Sequence, residues 1–218
     1  LRVKDAHGGT VTVITMGPPQ AEAALREALG FGADAAVLLS DRAFAGADTW
    51  ATALTLAKAV EKLGGADLIF CGKQAIDGDT AQVGPMLATI LDIPYVAWAR
   101  KVAFNDDGAV MVERLLDHGY DAVETTLPAL ITVVKEINEP RVPSFKAKLK
   151  AKKAAIPVWG LADLNLDAHE VGLSGSFTQV VKVFPPPPRG KSEVWTGAPE
   201  ELAARLWQRL KEQSQAHS

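Results

Sequence analysis

The sequence predicts an α/β fold with a doubly wound, mostly parallel sheet, an antiparallel edge and a C-terminal arm. Three observations predict it. Short, continuously apolar segments such as Ala35–Leu39 and Leu68–Cys71 alternate with stretches whose apolar residues recur at helical spacing. That is the pattern of parallel strands covered by helices on both faces, and right-handed crossovers make such a sheet doubly wound. After Pro94 the chain changes to β-rich segments separated by short turns, and after Asn138 regular periodicity fades.

Leu1 to Gly9 (LRVKDAHGG) reads as the last turns of a helix, with basic residues near its end and a glycine pair in the capping position. A helix tail without a helix start leads us to expect a strand-helix unit ahead of Leu1. Thr10 to Thr15 is β-branched and ends at Met16-Gly17-Pro18-Pro19; Gln20 to Leu29 follows with Ala24, Leu25, Ala28 and Leu29 at helical spacing. Ala35 to Leu39 is the next strand. Asp48 then caps a helix that turns Leu54, Ala57 and Leu63 inward. Leu68 to Cys71 is a third strand, followed by a polar, glycine-containing loop and a helix through Met86 to Leu91.

Beyond this point Pro94–Trp98, Lys101–Phe104, Met111–Leu116, Ala122–Thr126 and Leu130–Val134 read as strands joined by turns at Asn105–Gly108 and His118-Gly119. They suggest an antiparallel addition at one edge. Lys146, Lys148, Lys150, Lys152 and Lys153 form a basic stretch, Pro185–Pro188 favours polyproline II, and Pro199–Gln213 aligns Leu202, Leu206 and Leu210 beside Trp207 on a final helix. The expected division is a nucleotide-binding core over 1–137 and an arm over 138–218.

Composition narrows the function classes. Hydrophobic residues make up 48% of the 218 residues and charged residues 22%, so a packed globular chain is expected rather than disorder. A net charge of −3 gives no general attraction to nucleic acid or to anionic membrane. No apolar run approaches the ~20 residues that a membrane span needs. The single cysteine, Cys71, forms no internal disulfide, which points to a reducing, cytoplasmic setting. His7, His118, His169 and His217 are scattered, none at metal-ligand spacing, so no metal site is expected.

The loop after the third strand carries the most information. In an open parallel sheet, ligands bind beyond the carboxyl ends of the strands, where Gly72 to Pro85 falls. Gly78 and Gly84 let the backbone approach a ligand. Asp79 and Gln82 stand at capping-box spacing, and free amides at a helix start attract phosphate. Pro85 is uncomfortable deep in a helix, so the helix is expected to begin near Gln82 or to open with a distorted turn. Either way the amides of Gln82 to Gly84 face a diphosphate, with Thr80 and Gln82 adding side-chain hydrogen bonds. On the residues alone, a phosphate cradle and a plain capped helix entry are equally good readings.

Other strings lead nowhere. Gly30-x-Gly32-x-x-Ala35 matches a dinucleotide fingerprint but lies between a helix and a strand, the reverse of the required order. Gly72-Lys73 is not a Walker A loop, Gly172-Leu173-Ser174-Gly175 is not a nucleophile elbow, and Cys71 reads as a small apolar residue. No catalytic nucleophile-base pair emerges. The lysine stretch reads either as a solvated loop or as a docking element around Phe145 and Leu149.

At Gly72-Lys73-Gln74-Ala75-Ile76-Asp77-Gly78-Asp79-Thr80-Ala81-Gln82-Val83-Gly84-Pro85 the chain resembles the β subunit of electron transfer flavoprotein. Ile14–Pro18, Phe31–Asp34, and Glu136–Arg141 with Lys150–Lys153 resemble further family segments in the right order, so the resemblance covers nearly the whole chain. It implies a Rossmann-like domain of the adenine-nucleotide-binding type, paired with an α subunit in a heterodimer. By position it assigns Met16, Gly17, Cys71, Gly72, Asp77, Gly78, Asp79, Thr80, Ala81, Gln82, Val83, Gly84, Pro85 and Thr89 to the cofactor. Arg141, Phe145 and Leu149 fall in the loop that meets acyl-CoA dehydrogenase-type partners.

The cofactor implied is FAD, or AMP in ordinary members. The form of the loop is closest to the bifurcating and nitrogen-fixation-associated branch, in which NADH is the hydride donor and ferredoxin- or quinone-linked acceptors receive electrons. Lys73 departs from that branch, which often has Arg there. Two other roles compete: a subunit holding structural AMP, with redox chemistry confined to α, and a universal-stress-type ATP-binding module, for which no glycine signature follows the last strand.

Overall fold

In the computed structural model the described residues are 1–105, 108–187 and 192–215. Asp106 and Asp107 of the expected turn, Pro188 of the polyproline run and His217 lie outside them. The chain forms two compact units, Leu1–Gln179 and Val180–Ser218.

The larger unit opens on α1 (Arg2–His7), which ends at Gly8 with φ 80°. The glycine pair thus occupies the left-handed exit expected of it. Strand β1 (Thr12–Met16), helix α2 (Glu22–Phe31) and strand β2 (Ala35–Leu39) follow, then α3 (Thr49–Lys62) and β3 (Leu68–Gly72). Asp48 caps α3 by accepting the Ala51 amide at 3.0 Å. β1 and β2 pair in parallel, and a short strand β8 (Val158–Trp159) joins the far side of β2.

The second sheet has the order β3-β7-β4-β5-β6. Here β4 spans Tyr95–Phe104, β5 Val110–Leu116, β6 Gly119–Thr125 and β7 Ala129–Val133, with α4 (Val83–Ile90) between β3 and β4. The expected antiparallel edge exists as β4-β5-β6. However, β7 does not belong to it. It inserts between β3 and β4 and runs parallel to both. Its composition explains the placement: Ala129, Leu130 and Ile131 are fully buried, as befits a strand covered on both faces. The two expected segments Pro94–Trp98 and Lys101–Phe104 are one strand, β4, interrupted by a bulge.

Helix α3 packs against both sheets. Leu54, Leu56 and Ala59 join a cluster with Ile14, Met16, Val37 and Leu39; Ala53 and Ala57 join another with Ile69, Leu87 and Leu130. Alanines at 51, 53, 57 and 59 are fully buried, and their small size lets the helix lie close to both sheets. On the opposite face of the first sheet, Leu25 of α2 packs with Val13, Ala36 and Leu38. Alternate residues of β2 therefore face different helices, which is the doubly wound arrangement.

The lysine stretch is helical, forming α5 (Phe145–Lys153) with Ser144 as N-cap. Its Ala151 is buried. In the smaller unit α6 (Pro199–Gln215) carries Arg205, whose guanidinium lies 4.2 Å from the Trp195 ring. Among the described residues no helix is long and apolar enough to cross a membrane.

Candidate functional site

The ends of the parallel strands locate the candidate site. From β1 the chain passes through α2, on one face of the first sheet, to β2, then through α3, on the other face, to β3 in the second sheet. β1 and β3 belong to separate sheets that share α3 as a cover, and open α/β sheets bind ligands beyond the carboxyl ends of their strands. The residues at those two ends are Met16-Gly17 and Cys71-Gly72. Met16 packs on the α3 face, and the Gly17 amide donates to the Leu39 carbonyl at 3.0 Å.

From β3 the ladder continues one residue further, with the Lys73 amide donating to the Val133 carbonyl at 2.9 Å. The loop then closes on itself. The Asp79 amide reaches the Ala75 carbonyl at 3.1 Å, the Asp77 carboxylate accepts the Gly78 amide at 2.7 Å, and the Gln74 side-chain amide donates to the Asp79 carboxylate. Asp79 and Ala81 adopt left-handed backbone, φ 53° and 55°. For residues with a Cβ this costs about 1–3 kcal/mol each, a strain found most often at functional sites. Thr80 lies exposed between them.

The capping box expected of Asp79 and Gln82 does not form. Its physical reason is that Gln74 takes the Asp79 carboxylate, while the Gln82 side chain accepts from the Thr49 hydroxyl at 2.9 Å. Helix α4 begins at Val83, the later start that Pro85 required, and its N-cap Gln82 makes no side-chain capping bond. The Met86 amide bonds the Gln82 carbonyl at 3.0 Å, and Pro85 has no N–H. The amides of Val83 and Gly84 precede that bond and have no acceptor within the helix. They point outward where the macrodipole is positive.

Gly84 is buried, and a Cβ built on it would lie 2.4 Å from Thr132 Cγ2. The first turn of α4 thus sits directly on β7. At Gly72 and Gly78 a Cβ would meet nothing within 4 Å, leaving open space in front of the backbone. Cys71 packs behind the loop with Leu87 and Ala88, and burial pushes its thiol up to about 11. At the site it is a packing residue rather than a nucleophile. Thr89 lies in the next turn, where its hydroxyl donates to the Pro85 carbonyl at 2.9 Å.

This chemistry can hold a phosphate group. Uncapped amides stand at a helix start, glycines leave room, and the loop carboxylates are occupied by bonds within the loop. Sequence reasoning missed several neighbours. Trp98 has φ 58° at the β4 bulge, its amide donates to the Thr132 hydroxyl at 3.0 Å, and the Lys73 ammonium lies 4.4 Å from its ring. The one available signal was Thr132 itself, a lone polar residue in an otherwise apolar strand.

The second group of candidates lies on α5 and ahead of it. Phe145 and Leu149, one turn apart, are 78% and 46% exposed on one face of the helix. Arg141 pairs with Asp5 of α1, its hydrogen bond holding that carboxyl below the usual carboxylate range, while its side chain stays partly exposed. Arg26 of α2 fixes the C-terminal end of α5, its Nη1 donating to the carbonyls of Ala151 at 2.9 Å, Lys152 at 3.0 Å and Ala154 at 3.2 Å.

A family profile described as electron transfer flavoprotein domain matches residues 1–164. The chain is 51% identical over 211 residues to an electron transfer flavoprotein subunit beta of Thermoanaerobacterium thermosaccharolyticum, covering 96% of this chain and 80% of that protein. It is 47% identical to the caffeyl-CoA reductase-Etf complex subunit CarD of Acetobacterium woodii, covering 97% and 81%. It is also 48% identical to protein FixA of Azotobacter vinelandii, covering 88% and 70%.

Proposed function

Because the chain belongs to the electron transfer flavoprotein family, with relatives named as its β subunit, we propose that it pairs with an α subunit and binds FAD beyond the carboxyl ends of β1 and β3. Phosphate binding falls to the amides of Val83 and Gly84, with Met16-Gly17 and Cys71-Gly72 forming the floor. Asp77, Gly78, Asp79, Thr80 and Ala81 shape the loop around the ligand, and Gln82 ties it to α3 through Thr49. When bound, a flavin supplies exchange of electrons singly or in pairs. The protein's part is to hold it rigidly and to keep the phosphates matched to fixed dipoles.

The observation that carries this reading is the uncapped start of α4 on a glycine that presses against β7. Its relatives favour an electron-transfer role, because one is named as a subunit of a caffeyl-CoA reductase-Etf complex. On the resemblance of the Asp77–Pro85 loop to the bifurcating branch, NADH is the proposed donor, with acyl-CoA dehydrogenase-type or ferredoxin- and quinone-linked proteins as further redox partners. Arg141, Phe145 and Leu149 are the proposed partner-facing group, and the setting is cytoplasmic.

Cofactor content tests the proposal. The heterodimer is denatured and the released FAD and AMP are counted. Two FAD and no AMP per heterodimer support a redox flavin in this chain. One FAD with one AMP overturns it and leaves this subunit a scaffold for the flavin in α.

A further inference from the structure

The loop from Gly72 to Pro85 contains two carboxylates, Asp77 and Asp79, and a single cation, Lys73. A nucleotide diphosphate brought to this loop meets local negative charge unless Lys73 is held where it counts. An unrestrained lysine has a long, mobile stem. What restrains this one is Trp98, with the ammonium 4.4 Å from the ring centroid.

The indole is in turn placed by an unusual backbone. Between Val96↔Ile131 and Ala99↔Val133 the pairing of β4 with β7 slips, so β4 carries an extra residue there. Bulges of this kind re-aim a side chain and cluster beside active sites. Trp98 sits in the bulge at φ 58°, a conformation a bulky residue adopts only under constraint. Thr132 supplies that constraint. It is 1% exposed, its hydroxyl accepts the Trp98 amide at 3.0 Å and meets the Tyr95 hydroxyl at 3.2 Å, and its methyl faces Gly84 at the start of α4. One buried threonine therefore links the uncapped helix start to the residue that carries the lysine.

We propose that Trp98 is a positioning residue for Lys73, whose ammonium it holds at the loop after β3 as the cation for the diphosphate of the bound nucleotide. The inference rests on the nucleotide site proposed above. It assigns the charge recognition to Lys73 and the geometry to the bulge, while the amides of α4 supply neutral donors.

Titration of the nucleotide-stripped heterodimer with ADP and with adenosine, at low and high NaCl, tests it. Lys73→Gln and Trp98→Leu are each expected to weaken ADP by about tenfold, the worth of a charge-assisted contact, and to flatten its salt dependence. Adenosine affinity stays unchanged. Because Trp98 acts through Lys73, the double variant is expected to be no weaker than Lys73→Gln alone. Lys73→Arg and Trp98→Phe, which keep the cation and the ring face, remain near wild type.

Losses that multiply in the double variant, or a Trp98→Leu effect equal for ADP and adenosine, overturn the positioning role. If Trp98→Leu fails to fold, Trp98→Phe and Lys73→Gln carry the test, and unchanged ADP affinity in Lys73→Gln overturns it. Wild-type heterodimer that takes up neither ligand refutes the site itself, a result distinct from either of these.

Discussion

Gly84 rests against Thr132 so closely that a single added methyl would stand 2.4 Å from the threonine Cγ2. Neither side has room to move: Gly84 lies in the first turn of α4, and Thr132 is fixed by its bonds to Trp98 and Tyr95. Gly84→Ala is therefore expected to destabilise the chain by about 1–3 kcal/mol through overpacking, despite alanine's better helix propensity. Adding Thr132→Ser removes the methyl, keeps the hydroxyl and should recover most of the loss. Thermal melting of the single and double variants reads the coupling; an additive pair would disprove the contact.

Asp48 joins two segments distant in sequence. It caps α3 through the Ala51 amide, and it accepts from the amide and hydroxyl of Thr178 at 3.0 and 3.1 Å. Burial opposes its ionisation, but the bonds from Ala51 and Thr178 outweigh that and hold the carboxyl below its ordinary value of 3.8. The folded value lies below the unfolded one, so this stabilisation is complete above the ordinary carboxylate range. It is lost as pH falls through the folded value. Asp48→Ala should cost about 1 kcal/mol at pH 7. Asp48→Asn, which retains a capping oxygen but does not titrate, should show a shallower fall in melting temperature below pH 4 than wild type.

Arg26 closes the carboxyl end of α5 with three carbonyl contacts. Arg26→Ala leaves those carbonyls without their donor and is expected to cost roughly 1–3 kcal/mol. Its clearest sign would be faster amide exchange along Phe145–Lys153, with α3 unaffected. Equal acceleration in both helices would mean that Arg26 supports the whole unit rather than α5.

Cys71 should be chemically quiet. With its thiol raised to about 11 by burial, alkylation by iodoacetamide at pH 8 is expected to be slow in the folded chain and complete in denaturant. Rapid labelling of the native protein would show that β3 opens readily.

Phe145 projects from α5 while Ala151 anchors the helix to the core. If the proposed acyl-CoA dehydrogenase-type partner docks here, Phe145→Ala is expected to lower the rate of electron exchange with it several-fold, since few apolar anchors dominate such contacts. Cofactor content and melting temperature should remain unchanged. Unaltered exchange kinetics would remove Phe145 from the partner surface.

Local chemistry decided what the sequence could express. Asp48 capped its helix, Gly8 ended another, Ala35–Leu39 formed a buried strand, and Pro85 forced α4 to begin after Gln82, because each effect acts within a few residues of its cause. The place of the Gly72–Pro85 loop, between β3 and α4, was legible for the same reason. Tertiary structure decided the rest. Nothing in ALITV states that β7 returns between β3 and β4, since strand order depends on contacts with distant partners. Asp79 and Gln82 looked like a capping pair until Gln74 and Thr49 claimed their side chains. Trp98 gave no local sign of its left-handed backbone. That conformation exists because Thr132, thirty-four positions along the chain, captures its amide, and only the folded sheet brings the two together.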